Sequence, residues 1–332
     1  MTSTDPAPAP TLTRTTARPG YDGDAQPRMA FFTDTTVCIG CKACEVACKE
    51  WNDIPETLME FTGNSYDNTG GLGADAWRHV AFIEQRLPRI REQAESGLFT
   101  EGDRSGGATD IDITRVGTGG FADDVPTTVG LGGLEVPRGS SADTEFRWLM
   151  SSDVCKHCTS AACLDVCPTG SLFKTEFDTV VVQEDICNGC GYCIPACPYG
   201  VIDQRKGDGR AWKCTMCYDR LRGGQEPACA QACPTDSINF GTLDDMQQLA
   251  RDRYHTVVDA GLPGARLYGD GPSGGVDGTG AIFLLLDEPE VYGLPPDPIV
   301  TTRDLLQMWR TAVVAAAAVV AATIGAFLGT RS

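Results

Sequence analysis

The chemistry open to this 332-residue sequence is set by sixteen cysteines, which fall into four groups of four with none left over. The first group is Cys38, Cys41, Cys44 and Cys48, and the second is Cys155, Cys158, Cys163 and Cys167. The third is Cys187, Cys190, Cys193 and Cys197, and the fourth is Cys214, Cys217, Cys229 and Cys233. Closely spaced thiolates are soft ligands, and a count divisible by four suits Cys₄ metal sites. Zinc, disulfides and iron–sulfur clusters compete for such a pattern. Zinc usually takes two separated C-x₂-C pairs and has no use for three thiolates in one tight loop. Disulfides meet the same difficulty, and a chain of this length needs no staples. Only the fourth group, whose middle gap is eleven residues, would suit zinc if read alone.

The first and third groups have the spacing C-x₂-C-x₂-C-x₃-C of bacterial ferredoxins. In that run three thiolates wrap three corners of a cubane, and the fourth, on a following helix, ligates the other cluster of a pair. Pro168, Pro198 and Pro234 follow the last cysteine of their groups and turn the chain away; Lys49 stands at that place in the first group. Gly40, Gly189 and Gly191 permit tight loops that aim amide N–H groups at sulfur. The fourth group lies beside such a run, so the pattern predicts four 4Fe–4S clusters. The crossing rule then assigns ligands. One inner cluster takes Cys155, Cys158, Cys163 and Cys197, and the other takes Cys187, Cys190, Cys193 and Cys167. The outer pair takes Cys38, Cys41, Cys44 and Cys233, and then Cys214, Cys217, Cys229 and Cys48.

No catalytic constellation accompanies these ligands. His79, His157 and His255 are the only histidines and show neither triad nor metal-ligand spacing, and no phosphate-binding glycine motif follows a strand. His157, between Cys155 and Cys158, reads as a residue that packs on a cluster or donates to its sulfur. Fully ligated cubanes move electrons without substrate chemistry of their own, so the chain reads as a conductor. The formal charge of −18 argues against a nucleic-acid partner.

The elements that position the cysteines read as an α+β fold of two ferredoxin-like dicluster modules with insertions, plus one C-terminal transmembrane helix. Residues 1–30, rich in Pro, Ala and Thr, predict a flexible tail without a secretory or twin-arginine signal. The cluster domain takes 31–51 and 145–245, and 52–144 reads as an insertion whose part from 97 to 144 is Gly-rich loop. Residues 76–87 predict a strand, as do 179–185 and the buried run 281–288. The segment SINFGTLDDMQQLARDR predicts a turn into a helix capped by Thr242, and 246–302 an extension packing on the core. Within the anchor at 303–332, residues 311–329 carry no charge and as a helix would span about 28 Å. Trp309, Arg310 and Arg331 bracket that span, and Gly325 and Gly329 offer a close-approach face. Arg303 and Arg310 before the span, against Arg331 after it, bias the N-terminal domain weakly toward the cytoplasm.

With middle gaps of two, four, two and eleven residues, the four groups resemble the four-cluster iron–sulfur subunits of molybdenum or tungsten enzymes. CIGCKACEVACKEWND, WKCTMCYDR, GQEPACAQACPT and YGLPPDP ahead of a single terminal helix look most like the formate dehydrogenase beta subunit. With all sixteen cysteines present, the nitrate-reductase type, where Trp replaces one ligand, is the poorer match. The resemblance implies a separate catalytic subunit with molybdenum or tungsten bis-pterin that oxidises formate. It also implies a membrane cytochrome b subunit that reduces quinone, and attachment to the bilayer of a bacterial plasma membrane. A hydrogenase, polysulfide reductase or sulfoxide reductase is the alternative catalytic partner.

Overall fold

The computed structural model describes residues 26–56, 66–88, 128–131, 134–137, 144–262, 264–271 and 275–329. The tail expected over 1–30 falls outside these up to residue 25, as does most of the Gly-rich stretch. The core is a four-stranded sheet assembled from both ends of the chain. β1 (Met29–Asp34) runs antiparallel to β10 (Ile238–Thr242), with Phe31 opposite Phe240, and parallel to β12 (Ala281–Leu285), with Phe32 opposite Ile282. β12 in turn pairs antiparallel with β11 (Arg266–Tyr268).

Both faces of this sheet are covered, so β1 and β12 read as continuous apolar runs; Phe31, Phe32, Ile282, Phe283 and Leu284 have no solvent exposure. Period-2 alternation divides them. Ala30, Phe32, Ile282 and Leu284 pack against Met246, Ala250 and Val257 of α6 (Leu243–Asp259). Each large side chain buried there contributes about 1.5–3 kcal/mol. Phe31 and Phe283 face the other way and meet the buried cations Arg78 and Lys156, 4.7 and 5.1 Å from the ring centroids. α6 starts where the sequence predicts: Thr242 Oγ1 accepts the Asp245 N–H at 3.3 Å, and Asp244 and Asp245 occupy the first turn. The segment ahead of it is strand β10 and not a turn, because Phe240 pairs with Phe31, ring to ring at 5.6 Å. The stretch after 246 supplies strands β11 and β12 to the central sheet.

The cysteine-bearing segments carry little regular structure. α1 (Ala43–Trp51) follows the first loop; α2 (Ala162–Asp165), α3 (Cys193–Ala196), α4 (Tyr218–Arg222) and α5 (Ala228–Gln231) are one or two turns each. Two small antiparallel ribbons separate them, β6 (Leu172–Lys174) with β7 (Val180–Val182) and β8 (Asp203–Gln204) with β9 (Ala211–Trp212). β2 (Arg78–Pro88) pairs with β5 (Thr144–Val154). Residues 84–149 form a compact unit of their own, in which β3 (Thr128–Leu131) and β4 (Leu134–Pro137) pair as an antiparallel hairpin inside the stretch expected to be loop. At the C-terminus, α7 (Leu305–Gly329) contains a 20-residue segment, Gln307–Ala326, with mean hydropathy 1.6 and none of its best window buried against protein.

Candidate metal centres

All sixteen cysteines are free thiols, and the fold gathers them from distant parts of the chain. Cys155, Cys158, Cys163 and Cys197 line one cavity of about 360 Å³, counting its open mouth. Cys38, Cys41, Cys44 and Cys233 line a second of about 300 Å³. Cys48, on α1, has Cys214, Cys229 and Cys217 as its thiol neighbours, and Cys193 has Cys167, Cys187 and Cys190. In each gathering the last cysteine of one group joins the first three of another. The four gatherings also form a row: Cys44 neighbours Cys229, Cys214 neighbours Cys155, and Cys163 neighbours Cys193.

Local backbone explains the loops. Gly40 and Gly189 sit at φ +65° and +70°, in the left-handed region where L side chains are strained. A Cβ on Gly40 would lie 2.6 Å from Phe82 Cε1, so only glycine lets the first loop close against β2. Amide donors aim at sulfur: Ala211 N–H on Cys187 Sγ at 3.4 Å, and Met216 N–H on Cys214 Sγ at 3.3 Å. At Cys167 burial raises the thiol pKa, but the N–H groups of Leu172, Thr169 and Ser171 with the Thr169 hydroxyl outweigh it and hold the thiol below its usual value.

Elsewhere burial wins. It pushes the Cys44 thiol up to about 11, against the pull of Arg78 and the Ser152 hydroxyl. Burial likewise pushes Cys163 up to about 12 and Cys193 up to about 11, with neighbouring thiolates adding to the rise. Four thiolates in one dry cavity repel one another, so these pockets need a positively charged occupant to ionise. The donor set fits an iron–sulfur cluster. Four thiols line each described cavity, N–H groups point at sulfur, and His157 adds a buried donor. His157 Nδ1 accepts the Val180 N–H at 3.0 Å, which leaves the proton on Nε2. Among the described residues that Nε2 is buried without a hydrogen-bond partner, and the residue lines the Cys155 cavity. Burial, then the nearby Lys213 and Arg28, hold the ring well below its ordinary pKa and therefore neutral.

Sequence reasoning missed several groups around the sulfurs. The fully buried Arg78 donates from Nη2 to Cys229 Sγ at 3.1 Å and from Nη1 to the Ser152 carbonyl at 3.2 Å. Ser152 Oγ lies 3.2 Å from Cys44 Sγ, and Asn52 Nδ2 reaches Cys217 Sγ at 3.7 Å. Lys213 is 1% exposed and donates to the carbonyls of Val180 and Cys214. The signals available were a charge in the apolar run AWRHVAF and a lysine immediately before a ligand in WKC.

This combination of a small mixed sheet, short cysteine loops and sulfur-directed amides defines a ferredoxin-like iron–sulfur protein built for electron transfer. A family described as "4Fe-4S dicluster domain" matches residues 146–243. The chain is 32% identical over 299 residues to the nitrate-inducible formate dehydrogenase iron-sulfur subunit of Escherichia coli, covering 89% of this chain and 81% of that one. It is 34% identical over 313 residues to the formate dehydrogenase-O iron-sulfur subunit of the same organism, covering 92% and 85%. A subunit of the anaerobic dimethyl sulfoxide reductase of E. coli matches at 29% over 219 residues, covering 66% and 75%. The chain belongs to the family of formate dehydrogenase iron–sulfur subunits, non-catalytic electron-transfer members of an oxidoreductase complex.

Proposed function

We propose that this chain carries four 4Fe–4S clusters in two ferredoxin-like dicluster modules and relays electrons from formate oxidation to the membrane. The ligand sets are those of the four gatherings: Cys38, Cys41, Cys44 and Cys233; Cys48, Cys214, Cys217 and Cys229; Cys155, Cys158, Cys163 and Cys197; and Cys167, Cys187, Cys190 and Cys193. The observation that carries the reading is the cavity at which the second group meets Cys197 of the third, a crossing that separate zinc sites do not need. Each bound cluster would supply one-electron redox chemistry. The protein holds the sulfurs, excludes water from the middle of the row and leaves Cys41 and Cys190 exposed at its two ends.

The anchor gives the row a direction. Val300 packs with Ala162 of α2 and Ala196 of α3, and Thr302 donates to Asp165 Oδ2 at 2.6 Å, just before α7 begins. The helix that enters the bilayer therefore starts beside the inner cysteine groups. In this reading the Cys190 end faces a membrane cytochrome b partner that reduces quinone. The Cys41 end faces a catalytic subunit with molybdenum or tungsten pterin. The test is to purify the complex through this chain, measure iron and labile sulfide, and assay formate-dependent reduction of dye and of quinone. About 16 iron and 16 sulfide per chain, four for each cubane, with both activities, supports the proposal. A complex with the clusters but no formate activity would replace the substrate, and a chain holding zinc would refute the clusters.

A further inference from the structure

Three junctions link the four gatherings in a row, and two of them contain a buried cation. Arg78 occupies the first. Its Nη2 is 3.1 Å from Cys229 Sγ, while its Nη1 reaches Ser152, whose hydroxyl lies 3.2 Å from Cys44 Sγ. Lys213 occupies the second: it lines the Cys155 cavity and donates to the Cys214 carbonyl at 2.9 Å. Neither side chain has a carboxylate at ion-pair distance among the described residues, whereas the buried Lys156 and Lys174 are paired with Asp153 and Asp178. An unpaired buried charge is strongly destabilising. The counter-charge available to Arg78 and Lys213 is that of the sulfurs around them: Cys229 Sγ at 3.1 Å from Arg78 Nη2, and the four cysteines that line the Cys155 cavity together with Lys213.

Exposure shows where the charge is needed. Cys48, Cys214, Cys217 and Cys229 are all buried, and no other set is buried throughout; the two end sets each expose one cysteine, Cys41 or Cys190. A cubane with four thiolates is a dianion when oxidised and a trianion when reduced, so burial alone drives its potential down. Water offsets this at the ends of the row. In the buried middle, fixed positive charge must take its place.

Resting on the four-cluster reading above, we propose that Arg78 and Lys213 are potential-setting residues, each shared by two successive clusters. The cluster of Cys48, Cys214, Cys217 and Cys229 lies between them and is held reducible by both. Arg78 serves in addition the Cys38 set, and Lys213 the Cys155 set.

The experiment is a redox titration of the purified complex followed by electron paramagnetic resonance, with iron and sulfide counted first. A wild-type complex without clusters defeats the underlying reading before any variant is made. Arg78→Met should lower the midpoint potentials of two clusters, and Lys213→Met of two, with one resonance common to both pairs and the rest unmoved. Full cluster content with unmoved midpoints, or a shift confined to one resonance in each variant, overturns the inference. Should the Met variants lose clusters, Arg78→Lys decides, since it keeps the charge and alters the hydrogen bond to Cys229. Unchanged midpoints then support the shared charge, and a shift of one resonance alone overturns it.

Discussion

Replacing Gly189 by alanine tests whether the third cysteine loop depends on its backbone as the structure requires. Gly189 lies between Cys187 and Cys190 at φ +70°, and a Cβ there would fall on the carbonyl oxygen of Gly209 and 3.1 Å from Gln204 Nε2. The left-handed backbone costs an L residue about 1–2 kcal/mol. The clash is with backbone, so it cannot be relieved by a rotamer change, and overpacking of this kind adds about 1–3 kcal/mol. Gln204 would also lose its place, since its Nε2 donates to the carbonyls of both Gly189, at 2.7 Å, and Gly209. The total is about 2–5 kcal/mol, concentrated in a loop that must present three sulfurs at once. Gly189→Ala should therefore cost the Cys187 set its cluster, with iron falling from about 16 to about 12 per chain and one resonance missing. Gly207→Ala, in the connection between β8 and β9 that also carries Gly209, meets nothing within 4 Å and should be neutral or stabilising by about 0.4–1 kcal/mol. A Gly189→Ala protein with full iron content and the wild-type thermal midpoint would refute the reasoning.

Thr242→Ala should lower the unfolding free energy by about 1 kcal/mol, measured by denaturant titration, because Thr242 Oγ1 caps α6 at the Asp245 N–H. Removal of iron by chelation under reducing conditions should abolish amide-exchange protection in α2, α3 and α5. Each is only four residues long and too short to persist without its ligands, whereas β1, β12 and α6 should stay protected by their packing. A stop codon at Leu305 should release a folded, cluster-bearing chain from the membrane fraction, since α7 makes no buried contact over Gln307–Ala326. Retention of that truncated chain in sedimented membranes would show that attachment does not depend on the helix.

What the sequence displayed and what it concealed divide along physical lines. Ligand spacing, the β-branched strand at 180–182, the Thr242 cap and the apolar terminal helix are local patterns, and all four are legible from a few adjacent residues. The central sheet is not local. Phe31 finds Phe240 and Ala281 across more than 200 residues, and no short-range signal in MAFFTD names those partners. The hairpin at 128–137 was hidden by glycine-rich surroundings that read as loop. For Arg78 and Lys213 the local signals, a charge in the apolar run AWRHVAF and a lysine before a ligand in WKC, do not say which sulfurs the two side chains meet. Their burial follows from the thiolates, whose positions exist only in the folded chain.

The sheet that closes the core also sets a timetable for synthesis. β1 leaves the ribosome before any cysteine, yet its two partners, β10 and β12, begin at residues 238 and 281, after the last cysteine at 233. Until those strands emerge, the apolar faces of Phe31 and Phe32 have no cover and the gathered cysteine loops have no frame. All sixteen cysteines therefore emerge in one open nascent chain before the sheet can close over them, and a 3-10 turn at Pro289–Tyr292 and then the hydrophobic helix follow β12. Emergence of the ligands, closure of the core and emergence of the apolar helix are thus ordered by the position of β12 in the sequence, with every ligand ahead of the other two.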